Sequence, residues 1–218
     1  MDTLQVILSG LLLGDVDDAR DRWELALLAA GRLRMRDIGP TFVTNDDGGL
    51  AAVDWVFNGW GQQDWASWDK DEKIAARVAE LAGVERIASA LVNEGGGIQV
   101  DGEGTVLVTE TVQLDPGRNP GATRESVEAE IHARLGTRHA IWLSRGLSRD
   151  YEEFGTRGHV DIVAAFTPSG AVLLHRQDNP NHPDYEVTTG ALDYEVNFKT
   201  RSLLGMAPDE RAGEGIFL

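Results

Sequence analysis

Apolar positions in this chain fall into short alternating or continuous runs set between turns, with stretches of helical spacing between them. Thr41-Phe42-Val43-Thr44 predicts a strand, Asn45-Asp46-Asp47-Gly48-Gly49 a turn, and Leu50 to Asn58 the returning strand of a hairpin. A loop dense in tryptophan (Trp60, Trp65, Trp68) leads to an amphipathic helix, Asp69 to Ala82, stopped at Gly83. The strand Ile87 to Leu91 follows. Asn93 to Val100 then runs into a turn at Asp101-Gly102 and the strand Thr105 to Thr111. A second helix, Arg124 to Leu135, has Thr123 as its cap and Gly136 as its stop, and His139 to Leu143 returns as a strand. The order is hairpin, helix, strand, and again hairpin, helix, strand, with a third hairpin at 158–175 around Thr167-Pro168-Ser169-Gly170. A period of about 50 to 60 residues marks a propeller-like array whose units cannot bury their faces alone. Ahead of it, residues 1–35 read as helical, with Trp23, Leu25, Leu27, Leu28 and Leu33 as an apolar stripe, and Arg36-Asp37-Ile38-Gly39-Pro40 breaks that helix.

The third hairpin carries the most suggestive chemistry. On a strand His159 and Asp161 would emerge on one face, followed by the apolar run Ile162 to Phe166, so the pair would sit at the strand's mouth. A histidine beside a carboxylate can act as general acid or base, or ligate a metal, and the carboxylate can grip a cation. The plainer reading makes both surface residues of an edge strand. Gly95-Gly96-Gly97 lacks the Lys-Ser/Thr of a nucleotide P-loop and follows a carboxylate, Glu94, that would repel phosphate; the glycines instead suit a sharp turn that lets Glu94 project. The tryptophans read as packing residues.

Charge narrows the partners. The 218 residues carry a formal net charge of −16, which disfavours nucleic acid and anionic membrane surfaces and suits a cationic small molecule. There is no cysteine, hence no disulfide, no zinc–thiolate site and no thiol nucleophile among these residues. Leu4 to Gly14 follows Asp2 with no basic residue before it, and is too short to span a bilayer, so a cytoplasmic protein is expected. His159 and Asp161 would make two thirds of a non-haem iron triad only if His175 or His182 joined them, and no metal or cofactor is expected.

Several motifs together resemble the agmatine deiminase family of guanidine-modifying enzymes, alongside bacterial-type peptidylarginine deiminases. They are Arg36-Asp37-Ile38-Gly39-Pro40-Thr41-Phe42-Val43; Asp54-Trp55 with Phe57-Asn58-Gly59-Trp60-Gly61; Glu94-Gly95-Gly96-Gly97-Ile98 with Val100-Asp101-Gly102-Glu103-Gly104-Thr105; Asn119-Pro120; and Gly158-His159-Val160-Asp161. The resemblance implies an α/β fold, part of a five-bladed α/β propeller (pentein) of ββαβ units with its site on the central axis. It implies a core at 36–187 between a divergent segment 1–35 and a divergent tail 188–218, as in a truncated chain. It further implies that Asp37 and Asp161 bind a guanidinium, that His159 is general acid and base, and that Glu94 hydrogen-bonds the substrate or His159. These four would converge in one cavity. The implied reaction is agmatine plus water to N-carbamoylputrescine plus ammonia, through a cysteine nucleophile that these residues lack. The chain by itself is then expected to be inactive, or to serve as a non-catalytic cation-binding module, an oligomer subunit, or the partner of a complementing chain.

Overall fold

The computed structural model describes residues 35–45, 47–152, 155–167 and 171–189. The expectations for residues 1–34 and 190–218 lie outside the described residues, as does the turn at 168–170. The chain divides into two compact units: the first takes residues up to Gly96 together with Gln113–Thr137, the second Gly97–Val112 and everything from Arg138 on.

In the first unit, β1 (Thr41–Thr44) and β2 (Leu50–Val56) pair antiparallel, and β3 (Glu85–Val92) adds to β2 in parallel. The hairpin turn is fixed by Asn45, whose Oδ1 accepts the Gly49 N–H at 2.6 Å, with Gly48 at φ +78°. The parallel return to β3 is made by helix α1 (Ile74–Ala82), preceded by a 3₁₀ turn at Asp71–Lys73, so the expected helix from Asp69 is two pieces. Its buried stripe of Ile74, Ala75, Val78 and Ala79 faces the core, and Gly83, left-handed at φ +65°, ends it. The cluster beneath comprises Met35, Ile38, Phe57, Trp60, Ile74 and Val78. Met35 to Ile38 form a helical turn closed by the Gly39 N–H on the Met35 carbonyl; the chain becomes extended only after Pro40, later than the break expected at Arg36.

Sequence order and spatial membership part company at helix α2 (Arg124–Leu135). It follows the second hairpin but belongs to the first unit, where Ser89 of β3 donates its hydroxyl to Glu130 of α2 at 2.7 Å. Its start is a reciprocal cap: Thr123 Oγ1 accepts the Ser126 N–H and Ser126 Oγ accepts the Thr123 N–H.

The second unit repeats the first sheet's topology. β4 (Ile98–Val100) and β5 (Thr105–Thr109) pair antiparallel and β6 (His139–Leu143) joins β5 in parallel. Asp101 Oδ1 accepts the N–H groups of Glu103 and Thr105, fixing the hairpin register. β5 ends two residues earlier than expected, because Glu110–Gln113 turn helical. β7 (Ala164–Phe166) and β8 (Val172–Leu174) form a third antiparallel pair. Leu107, Ile141, Leu143, Leu147, Val160, Val163, Ala164, Val172 and Val187 build this unit's core. The small mixed sheets and their ββαβ order make the chain an α/β protein. Among the described residues no helix is long and apolar enough to cross a membrane.

Candidate active site

Two of the four carboxylate and imidazole residues singled out by sequence, Asp37 and Glu94, lie in the first unit; His159 and Asp161 lie in the second.

Asp37 sits in the helical turn that opens the described chain. Its Oδ2 accepts the indole N–H of Trp60 at 3.1 Å and its Oδ1 the backbone N–H of Gly96 at 3.3 Å. These two donors come from separate segments of the unit and fix the orientation of the carboxylate. The glycines after Glu94 have a different reason from the one expected. Gly95–Gly97 form a 3₁₀ turn without positive φ, and Gly95 is required because a Cβ there would collide with the Arg36 carbonyl oxygen.

Glu94 is fully buried, and Arg118 Nε approaches both its oxygens, at 3.0 and 3.1 Å. Arg118 Nη1 reaches Asp115 at 3.0 Å, and neither the Arg118 nor the Glu94 side chain is exposed. Burial by itself would lower the guanidinium pKa; Glu94 and then Asp115 outweigh it and raise it, so Arg118 is a permanent cation. Asn119 closes this loop, its Oδ1 taking the Val92 N–H and its Nδ2 the Val92 and Gln113 carbonyls. Sequence reading missed Arg118 and Asp115. A signal was present in Asp115-Pro116-Gly117-Arg118, a turn sequence placing a basic residue immediately before the Asn119-Pro120 motif.

In the second unit the expected strand through His159 and Asp161 is absent. Residues 161–163 form a turn, with the Val163 and Ala164 N–H groups both on the Val160 carbonyl, and strand pairing begins only at Ala164. The pair is nevertheless together: His159 Nδ1 lies 3.9 Å from Asp161 Oδ1, with side-chain exposures of 4% and 19%. A turn, and not alternation along a strand, brings them close. Ile162 is exposed and falls outside the apolar run it was assigned to.

Asp150 organises this corner. Its carboxylate accepts the N–H and hydroxyl of Thr156 and the N–H groups of Gly158 and His159, at 2.6 to 3.1 Å. Thr109 Oγ1 donates to the Gly158 carbonyl at 2.6 Å. Arg157 and Gly158 both have positive φ, +61° and +114°, and a Cβ on Gly158 would run into the Thr111 hydroxyl. The backbone that presents His159 is thus held on both sides. Burial foremost raises the Tyr151 phenol pKa. Among the described residues no cluster of three His, Cys, Asp or Glu side chains is arranged to hold a metal ion.

The sequence profile of the Porphyromonas-type peptidyl-arginine deiminases matches residues 13–202, and the chain belongs to that family. Within it, a Streptomyces coelicolor protein assigned as an agmatine deiminase is 67% identical over 152 residues, which are 70% of this chain and 45% of that one. The agmatine deiminase of Stutzerimonas stutzeri is 41% identical over 174 residues, 78% of this chain and 46% of its own length. Among solved structures, the agmatine deiminase of Enterococcus faecalis superposes with a TM-score of 0.67 at 36% identity, covering 79% of this chain and 45% of that one. The chain spans somewhat under half the length of the curated relatives it matches.

Proposed function

We propose that this chain carries the guanidinium-recognition and proton-handling groups of an agmatine deiminase, on part of a five-bladed α/β propeller. The observation that carries the reading is the buried His159 ring 3.9 Å from the Asp161 carboxylate, in a chain whose relatives at 41 to 43% identity are named agmatine deiminases. In this reading Asp161 and Asp37 are each a carboxylate able to pair with the planar N–H fork of a guanidinium. Once a thiolate from outside these residues had bonded to the guanidinium carbon, His159 would protonate the ammonia that departs, and would then remove a proton from the water that displaces the thiolate. Glu94, its two oxygens held by Arg118, is the group that hydrogen-bonds the substrate. Net, one guanidinium C–N bond is replaced by C=O, with ammonia released and N-carbamoylputrescine formed.

The difficult step is attack on a resonance-stabilised carbon, and a thiolate is the group that makes it tractable by covalent catalysis. The 218 residues contain none. A second reading follows from that observation: a guanidinium-binding module, or one subunit of a complemented enzyme. The purified 218-residue chain is expected to bind agmatine and to release no ammonia from it at millimolar concentration. Ammonia release that disappears in His159→Ala would overturn the inactive reading, and absence of agmatine binding by calorimetry would overturn the recognition reading.

A further inference from the structure

Strand β5 ends at Thr109 and the four residues after it turn helical, so Thr109 stands where a helix cap stands. The residue is 0% exposed, and its hydroxyl meets two partners of fixed polarity. The Val112 N–H can only donate, and reaches Thr109 Oγ1 at 3.3 Å; the Gly158 carbonyl can only accept, and lies 2.6 Å from the same oxygen. The hydroxyl hydrogen is therefore committed to Gly158. Thr111 extends the chain of donors, its Oγ1 accepting the Gly146 N–H at 3.2 Å and lying 3.4 Å from Thr109 Oγ1. All of these groups belong to the second unit.

The loop needs such a hold just before His159. Gly158 lies so close to the Thr111 hydroxyl that no larger residue fits, and its φ of +114° favours glycine as well. Glycine is also the residue whose backbone turns most freely, so the peptide between it and His159 could rotate about its flanking bonds at little steric cost. Both ends of that peptide are held. Its carbonyl takes the Thr109 hydroxyl, and its N–H donates to Asp150 Oδ2 at 3.1 Å. A rotated peptide would forfeit both bonds and turn its carbonyl toward the Asp150 carboxylate.

We propose that Thr109 is a positioning residue for His159: its hydroxyl, made a donor by the Val112 N–H it accepts, fixes the plane of the Gly158–His159 peptide and with it the direction in which the imidazole leaves the backbone toward Asp161, 3.9 Å away. The proposal rests on the reading of His159 as the proton-handling group. The double use of one oxygen carries the reasoning. Capping alone would be served by aspartate or asparagine as well as by threonine; what the hydroxyl adds in the same place is a donor for the carbonyl across the loop.

The test uses the full 218-residue chain labelled with ¹³C and ¹⁵N. Thr109→Val keeps the shape of the side chain and removes the hydroxyl, whereas Thr109→Ser keeps the hydroxyl. Thr109→Val is expected to retain the fold and to raise the population of the rotated Gly158–His159 peptide roughly tenfold, read as relaxation dispersion at the His159 amide and ring. The ring signal is assigned by its loss in His159→Ala. Thr109→Ser is expected to restore single sharp signals. A His159 ring as sharp and unshifted in folded Thr109→Val as in the unmutated chain overturns the proposal, because a hydroxyl that only satisfies a buried carbonyl would cost stability and leave the ring alone. So does broadening that persists in Thr109→Ser. Agmatine is then added to the unmutated chain. A His159 ring signal indifferent to it overturns the reading of His159 as part of an agmatine site, while the Thr109→Val comparison still decides whether the hydroxyl holds the imidazole. If Thr109→Val does not fold, the Thr109 hydroxyl proton of the unmutated chain decides: slow exchange with water supports the proposal and fast exchange overturns it.

Discussion

The two units hold their candidate residues by opposite means. In the first, Asp37 and Glu94 are fixed by side chains far along the sequence: Trp60 lies 23 residues from Asp37, and Arg118 lies 24 from Glu94. In the second, most of the hydrogen bonds on the backbone before His159 come from Asp150, nine residues away in the same loop, and Thr109 of β5 adds a single distant one to the Gly158 carbonyl. A site assembled from distant partners depends on the unit's tertiary packing, and it fails cooperatively when one partner is removed. A site held by a local carboxylate can loosen while its core stays packed. The difference also separates the charges. The first unit holds an internal ion pair out of contact with water, and the second uses the partly buried Asp150 carboxylate to gather N–H and hydroxyl donors.

Removing the internal cation is the harshest way to probe this contrast. Arg118→Met leaves Glu94 buried without its counter-charge and is expected to destabilise the fold by about 3–5 kcal/mol, read from urea unfolding. A loss below about 1 kcal/mol would mean that water reaches Glu94 and that the first unit is no more tightly interlocked than the second. Asp150→Ala comes next. It strips four hydrogen bonds from a carboxylate and is expected to cost about 2–3 kcal/mol, with amide exchange accelerated at Gly158 and His159 ahead of β5 and β6. Uniform acceleration across the unit would erase the distinction between a local and a distributed site.

The smallest effect is expected at Asp184, which caps residue 148. Burial would raise its pKa, but the Ser148 N–H and hydroxyl and the nearby Arg145 outweigh this and lower it. A carboxyl depressed on folding contributes stability above its unfolded pKa of about 3.9 and loses it as pH falls through the lower folded value. Unfolding midpoints of the unmutated chain and Asp184→Asn should therefore differ at pH 6 and converge in the acid range below about pH 4. A gap that persists there would assign the effect to hydrogen-bond geometry and not to charge.

Legibility in the sequence tracked the same divide between local and distant causes. Helix Arg124–Leu135 and strand His139–Leu143 have the bounds expected, because Thr123 and Gly136 cap within one turn and the strand follows a short break. The two hairpins turn where Asn45 and Asp101 sit, each side chain bonding its own backbone. His159 and Asp161 lie close together, but strand alternation is not the cause: Asp150 gathers the preceding backbone into a loop and residues 161–163 turn. Trp60 read as packing because nothing local shows a left-handed tryptophan or a carboxylate 23 residues upstream. Arg118 was invisible for the same cause: its partner lies 24 residues upstream.

The membership of helix α2 in the first unit has a consequence for how the chain is made and cut. During synthesis the first unit is incomplete until residue 137 has left the ribosome, by which time residues 97–112, strands of the other unit, already wait without β6. No single stop codon or protease nick releases either unit whole. Separate expression needs a permuted or spliced gene, in which residues 113–137 are joined directly behind Gly96 and the intervening hairpin is moved in front of Arg138.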